Sequence, residues 1–244
     1  MPTGTILKMF FPPRCPFCRK ILKGFPVEDG TYPVWAKKEA IPEVLCGRCA
    51  SELPWLKDDC CPRCGRELDG KGICSCREEK YAFENCCAVS RYTGEVREAL
   101  RFFKYHQKKW LAEPLGKLLS WKLTSLNWAR SIEAVVPIPL TPRRLAARGY
   151  NQAALLAEIV GKETGLPVLD VLERVKETES QTGMKREERW KNLQGAFRCR
   201  ERGQKYGHLL LIDDILTTGA TAHEAACALR NGVAGRVSVA VFAR

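Results

Sequence analysis

The chain has 244 residues, 45% of them hydrophobic, which is enough for one core of ~150 residues and a smaller module. It contains no run of ~18 apolar residues, and residues 1–14 lack the charged head and long apolar segment of a secretory signal. We therefore predict a cytoplasmic protein that is not inserted in a membrane. The formal charge of +12 is unevenly spread, with 12 Lys and Arg against 4 Asp and Glu in residues 90–150, where a polyanion would be met.

Cysteine dominates the first third of the chain, because 11 of the 13 cysteines lie between residues 15 and 87. In a reducing cytosol, thiolate metal sites explain such clustering better than disulfides do. Three pairs have the Cys-x-x-Cys spacing of zinc-ribbon knuckles, and a fourth is one residue shorter, which leaves open whether it holds metal. The candidate ligands are Cys15, Cys18, Cys46, Cys49, Cys61, Cys64, Cys74 and Cys76.

Two arrangements of these pairs fit the spacings. Paired in chain order they form two ribbons, whereas a crossed arrangement joins the first pair to the third and the second to the fourth. No His or carboxylate interrupts the thiolate sets, so we predict one or two structural Zn²⁺ ions rather than a catalytic one.

Residues 91–128 are rich in helix formers. Four cations recur at spacings of 4, 3 and 4, which predicts one basic helix face with aromatic residues nearby: Arg97, Arg101, Lys104 and Lys108. This combination is typical of proteins that hold single-stranded nucleic acid. A solvated face of an amphipathic helix explains the pattern as well, and the cations could alternatively face a pyrophosphate.

From residue 133 onward, predicted strands alternate with predicted helices. The strands lie at residues 134–138, 168–175, 209–212 and 236–242, with helices at 152–164 and 222–230. This alternation predicts a parallel sheet with crossover helices, and thus an α/β fold. After the first of these strands come Arg143, Arg144 and Arg148, whose guanidinium groups suit a pyrophosphate; a solvated helix start is the alternative.

Residues 209–221 combine a buried strand, two acids and a hydroxyl-rich turn that opens a helix. Asp213 and Asp214 follow the strand, where α/β sheets bind ligands, and suit sugar hydroxyls or a hydrated Mg²⁺. The turn can surround a phosphate with backbone amides and hydroxyls at a helix amino end. Its residues are Thr217, Thr218, Gly219, Ala220 and Thr221.

The segment 176–191 is highly charged and predicts a mobile loop. It carries four cations that suit an anionic ligand, namely Lys176, Lys185, Arg186 and Arg189. A surface loop without chemistry is the alternative.

Residues 209–221 resemble the phosphoribosyl pyrophosphate (PRPP) motif of type I phosphoribosyltransferases. The run from Arg148 to Gln152, followed by Gln181, Arg186, Arg189 and the Asn192-x-x-Gly-Ala-Phe197 pattern, resembles the ComF (ComFC/GntX) family over essentially the whole chain. That resemblance implies a double zinc-ribbon domain over 1–85, a helical hood or linker segment over 86–132 and a phosphoribosyltransferase-like domain over 133–244.

The same resemblance implies a PRPP-binding protein associated with natural competence, with single-stranded DNA and a helicase-like protein as partners. Asp213 and Asp214 with Mg²⁺ would then orient the ribose, residues 217–221 would anchor the 5′-phosphate, and the arginines would hold pyrophosphate. The alternative is an active phosphoribosyltransferase with a nucleobase or amine acceptor. No acid is an evident general base for such an acceptor, which favours binding over turnover.

Overall fold

The computed structural model describes residues 13–22, 44–56, 60–68, 74, 76, 81–177 and 186–244. Its strands are β1 (Cys86–Ser90), β2 (Ala134–Pro137), β3 (Leu172–Arg174), β4 (Phe197–Cys199), β5 (Tyr206–Ile215) and β6 (Ala234–Ala243). Strands β1, β6, β5 and β2 lie side by side in that order as a parallel sheet, and β3 pairs antiparallel with β4. The α/β class and the parallel sheet are therefore confirmed.

Seven α-helices accompany these strands in the described residues. They are α1 (Gly47–Glu52), α2 (Gly94–Tyr105), α3 (Ala112–Thr124), α4 (Pro142–Arg148), α5 (Gln152–Thr164), α6 (Arg186–Leu193) and α7 (Ala220–Gly232). Short 3₁₀ turns lie at Lys109–Leu111 and Asn127–Ser131.

The main sheet is covered on both faces. Leu210 and Phe242 pack with α3 and α5 on one face, while Leu209, Leu211 and Val239 pack with α7 on the other. All five side chains are fully buried. This double burial explains why β5 and β6 are nearly continuous apolar runs rather than alternating ones.

The cysteine-rich segment straddles β1, an edge strand of this sheet. Cys15 and Phe17 join the core on the α3 and α5 face, where the Phe17 ring stacks 6.0 Å from that of Phe242. Cys64 and Cys76 join the core on the α7 face. The two halves of the cysteine module therefore pack on opposite faces of one sheet.

The predicted strand at residues 168–175 was wrong as a member of the main sheet. Val168 makes only a single parallel bridge to Val135, and the rest of the segment forms the β3–β4 ribbon. Its polar residues, Asp170, Glu173 and Arg174, explain this, because a strand covered on both faces cannot accommodate them.

The other predicted strands and helices agree closely with the structure, but the loop predicted over residues 176–191 was wrong for residues 186–191, which belong to α6. Helix α5 covers the predicted residues, and β2 ends one residue early. Strand β5 is longer than predicted and includes both acids, since Asp213 lies opposite Val241 of β6. Helix α7 begins at Ala220, two residues before the predicted start, so Ala220 and Thr221 belong to its first turn.

Residues 86–132 contribute to the same core as the rest of the domain. They supply β1, α2 and α3, and α3 packs against both β1 and β6. Helix α2 ends at Tyr105, so Lys108 lies outside it, and the predicted helix face with four cations is not formed.

Candidate functional site

The eight predicted zinc ligands form two four-cysteine clusters, in which the sulfur atoms lie within 4.8 Å of one another. One contains Cys15, Cys18, Cys46 and Cys49, and the other contains Cys61, Cys64, Cys74 and Cys76. The pairing in chain order is therefore confirmed and the crossed arrangement is excluded. Both cysteines of the short Cys74-Ser-Cys76 pair belong to the second cluster.

The sulfur geometry fits tetrahedral zinc. Sγ–Sγ distances are 3.4 Å for Cys18 and Cys46 and 3.4 Å for Cys64 and Cys74. A zinc ion with four sulfurs at ~2.3 Å requires sulfur separations of roughly 3.8 Å. Because each set contains four thiols and is largely buried, both sites suit closed structural zinc.

The acids of β5 are engaged by a lysine from α2. Lys104 Nζ lies 3.0 Å from Asp214 Oδ2, and the two side chains are only 18% and 6% exposed. Burial acts to lower the pKa of Lys104, but Asp214 and Asp213 outweigh it and raise that pKa overall. Of the three settings considered for these cations, namely nucleic acid, solvent and a pyrophosphate, none included the contact that Lys104 makes with Asp214.

The second acid of the pair titrates near neutrality. Burial, with repulsion from Asp214, raises the pKa of Asp213 to about 7, although the nearby Lys104 opposes the shift. The Asp214 backbone N–H also donates to Asp213 Oδ1 at 2.8 Å. Near pH 7 Asp213 is therefore only partly ionised, while the Lys104 ammonium lies beside Asp214.

The predicted phosphate loop joins β5 to α7. Gly219 adopts φ +84° at the N-cap of α7, and Thr218 Oγ1 accepts a 3.3 Å hydrogen bond from the Ala220 N–H. The amides of a first helical turn have no partner within the helix, so they form an anion-binding end. Thr217 is exposed, and Thr218 and Thr221 are half-buried.

A tyrosine that the sequence analysis did not single out supports this loop. Tyr81 Oη donates to the Thr218 carbonyl at 3.0 Å, and a Cβ on Gly219 would lie 2.6 Å from the Tyr81 ring. The same ring stacks on Phe83 at 4.6 Å and on Trp190 of α6 at 6.0 Å. Tyr81 thus packs directly against the predicted phosphate loop.

Two of the three predicted arginines lie on the same side of α4 and form a cluster. Arg144 and Arg148 are half-buried one helical turn apart on α4, whereas Arg143 is exposed on a different side of that helix. Burial, followed by the charge of Arg148, lowers the pKa of Arg144.

A further arginine joins them from β3. Burial and then the charge of Arg144 lower the pKa of Arg174 to about 10, while Asp213 and Glu177 act in the opposite direction. Arg174 was not among the predicted site residues, because its segment was assigned to the main sheet. The structure thus brings Arg174 close to Arg144, Arg148 and Asp213, so that it lies between the other two arginines and one acid of the pair in electrostatic terms.

The run from Arg148 to Gln152 has a structural explanation. Gly149 ends α4 with φ +76°, and Asn151 caps α5 by accepting from the Ala153 N–H at 3.0 Å. Tyr150 Oη donates to the Phe103 carbonyl of α2. The run therefore connects α2, α4 and α5 around the carboxyl edge of the sheet.

The predicted loop cations are only partly described. Lys176 is exposed after β3. Lys185 lies outside the described residues, and Arg186 and Arg189 belong to α6 with side chains that also fall outside the description. Their predicted role stays a prediction.

The exposed side of the α2 region carries both charge and rings. Arg97, Arg101 and Lys108 are exposed. Among the aromatic residues of this region, Tyr105 and Trp110 are exposed, at 64% and 46%, while Phe103 is fully buried. No described helix has the length and apolar character needed to cross a membrane.

Comparison with known proteins agrees with this architecture. Residues 6–78 match the double zinc ribbon domain family. The chain is 27% identical to competence protein F of Haemophilus influenzae, over 88% of this chain and 83% of that protein. It is 29% identical to competence protein ComFC of Bacillus subtilis, with coverages of 80% and 82%. The chain is therefore similar to those competence proteins over most of its length. It also shares 26% identity with the DNA utilization protein YhgH of Escherichia coli K12, over 71% of this chain and 79% of that protein.

Proposed function

We propose that this protein binds PRPP, or a closely related phosphosugar, at the carboxyl edge of its sheet and serves in the uptake and use of DNA. The observation that carries the proposal is the convergence of three kinds of group at one edge. These are the acids of β5, the phosphate loop before α7 and the arginines of α4 and β3. The names of its relatives, competence and DNA utilization proteins, support the biological role.

The loop suits the 5′-phosphate. Backbone amides at the start of α7 and the hydroxyls of Thr217, Thr218 and Thr221 offer donors, and the helix dipole favours negative charge there. Tyr81 supports the loop from below. Gly219 lets the backbone reverse direction without a side chain in that contact.

The arginines suit the pyrophosphate. Arg144, Arg148 and Arg174 repel one another, and an anion with several oxygens would relieve that repulsion while accepting bidentate hydrogen bonds. Between the two anionic ends, Asp213 and Asp214 can accept hydrogen bonds from ribose hydroxyls. Mg²⁺ would enter with PRPP on its pyrophosphate oxygens, which is how this ion is often bound.

The alternative is turnover of PRPP. A nitrogen nucleophile would form a bond to C1 of the ribose as the C1–O bond to pyrophosphate breaks, and pyrophosphate would leave with both electrons of that bond. Release of pyrophosphate on addition of nucleobases or amines would establish a transferase. PRPP binding without release would establish a sensor.

A second function, binding of single-stranded DNA, is supported by the exposed side of the α2 region. Tyr105 and Trp110 can stack on bases, and Arg101 and Lys108 can contact phosphates. Arg148 lies over the Tyr105 ring at 5.4 Å, so this surface adjoins the arginine cluster. A helicase-like partner would meet the protein on DNA held there.

Calorimetric titration with PRPP and Mg²⁺ tests the main proposal. Wild-type protein should bind, and Arg174→Ala should weaken binding by roughly tenfold or more, because a charged hydrogen bond contributes about 1.5–3 kcal/mol. Arg198→Ala is the matched control, since Arg198 lies on the neighbouring strand and pairs with Glu173 at the surface. No heat with wild-type protein, or equal affinity in the Arg174 variant and the wild type, would count against this site.

A further inference from the structure

Asp213 and Asp214 resemble a cation site that already contains its cation. Lys104 reaches Asp214 from the last turn of α2, with its Nζ 3.0 Å from Oδ2, and both side chains are largely buried. A buried carboxylate requires such a partner, because an unpaired charge away from water is costly.

The charges at this position leave little reason for a divalent ion. One ammonium and two carboxylates sum to a single negative charge when both acids are ionised, and Asp213 is only partly ionised near pH 7. Arg174 adds further positive charge near Asp213, and Arg144 and Arg148 lie close to Arg174. A divalent cation at the acids would have to be placed beside Lys104, and the two would repel each other.

We propose that Lys104 replaces a divalent cation at the acidic pair, so that the protein holds the ribose of its phosphosugar without a metal ion on Asp213 or Asp214. This inference rests on the proposed phosphosugar site and specifies its chemistry. The ammonium fixes Asp214 and leaves the remaining carboxylate oxygens to accept from ribose hydroxyls. Mg²⁺ is then needed only by the pyrophosphate group.

Ribose 5-phosphate separates the two requirements, because it has the ribose hydroxyls and the 5′-phosphate but no pyrophosphate. Calorimetric titrations of wild-type protein in EDTA and in Mg²⁺ should give affinities within about twofold of each other. Lys104→Met should bind it roughly tenfold or more weakly in EDTA, because two carboxylates then lack a cation. Mg²⁺ should restore the affinity of the variant.

Binding of Mn²⁺ measures directly whether the acidic pair holds a divalent cation. Titrated with Mn²⁺ and followed by electron paramagnetic resonance, the Lys104→Met variant should gain one bound ion that the wild type lacks. Lys104→Met with Asp214→Asn should lose it again. Lys162→Met is the control, since Lys162 is an exposed lysine of α5. It should behave as the wild type does.

The outcomes separate the inference from the proposed function. If wild-type protein requires Mg²⁺ for ribose 5-phosphate, Lys104 does not replace the ion, although the phosphosugar site stands. If Lys104→Met loses affinity and Mg²⁺ fails to restore it, the role of Lys104 is not that of a cation substitute. If wild-type protein binds neither ribose 5-phosphate nor PRPP under any condition, the proposed function itself fails. The wild-type comparison needs no variant, so misfolding of Lys104→Met cannot obscure the result.

Discussion

The cysteine clusters and the carboxyl edge of the sheet both bring chemically similar side chains together, but they are stabilised in different ways. In each cysteine cluster, four thiols converge and specify one ligand of fixed geometry. At the sheet edge, Lys104 neutralises part of the acidic pair from within the chain, while three arginines remain close together nearby. The first region is complete once zinc is bound, whereas we propose that the second binds and releases an anion.

Removing a zinc ligand tests the structural side of this comparison and should have the largest effect. Cys64→Ser should reduce the zinc content by one ion and destabilise the whole domain, because the second cluster packs on the α7 face of the sheet. Zinc released to a chromophoric chelator and the midpoint of urea unfolding measure the two effects. Cys227→Ser, at a half-buried cysteine outside both clusters, should retain both ions; a similar loss in that control would contradict a specific role for Cys64.

Breaking the buried ion pair between Lys104 and Asp214 tests the account of the sheet edge. Asp214→Leu should lower the free energy of unfolding by about 3–5 kcal/mol, because the Lys104 ammonium is then buried without its partner. Lys104→Met combined with Asp214→Leu should cost much less than the sum of the two single changes. Additive costs in urea unfolding would show that the two side chains do not interact.

A substitution in the predicted phosphate loop should have an effect of intermediate size on stability and on PRPP affinity. Gly219→Ala introduces both the strain of a positive φ and a contact with the Tyr81 ring at 2.6 Å. Gly203→Ala introduces strain alone, since φ is +87° and no atom lies within 4 Å of the new Cβ. Strain should cost about 1 kcal/mol in both, and only Gly219→Ala should also weaken PRPP binding. Equal PRPP affinities in the two variants would show that the contact between Gly219 and Tyr81 does not contribute to PRPP binding.

The raised pKa of Asp213 predicts a pH dependence with a definite sign. Its folded pKa of about 7 lies above its ordinary value of 3.8, so the folded protein binds more protons between those values. The contribution to stability is therefore present below pH 4 and is lost as the pH rises towards and through 7. Urea unfolding of wild type and Asp213→Asn at several pH values should show a downward slope in that range only for the wild type. Parallel curves would contradict the raised pKa.

Substitutions on the proposed DNA-binding surface, which contains Arg101, Tyr105, Lys108 and Trp110, should have the smallest effect on affinity. Arg101→Glu combined with Trp110→Ala should weaken single-stranded DNA binding and reduce its salt dependence by about one counterion per lost phosphate contact. Arg130→Glu, at an exposed arginine beyond α3, should retain the wild-type slope. A fluorescence titration of labelled oligonucleotide at several salt concentrations measures both, and an unchanged slope in the double variant would place the DNA elsewhere.

Local sequence patterns predicted the strands and helices, whereas long-range packing determines which side chains meet at the candidate site. The apolar run of β5, the acids after it and the cysteine spacings are features of adjacent residues, so they could be read directly. Lys104 was assigned to an outer helix face, because its spacing from Arg97 and Arg101 does not reveal where α2 ends or what it packs against. Arg174 was missed for a similar reason, since its position depends on the β3–β4 ribbon. Tyr81 meets Gly219 across 138 residues of sequence, a contact that no local pattern contains.

Competition at the sheet edge tests most directly whether one site has two anionic ends. PRPP with Mg²⁺ should bind wild-type protein with a stoichiometry of one, and both ribose 5-phosphate and pyrophosphate should displace it in calorimetric competition. Ribose 5-phosphate would compete through the loop before α7 and the acids, and pyrophosphate through the arginines. An absence of PRPP binding, or PRPP binding that neither half displaces, would contradict the account.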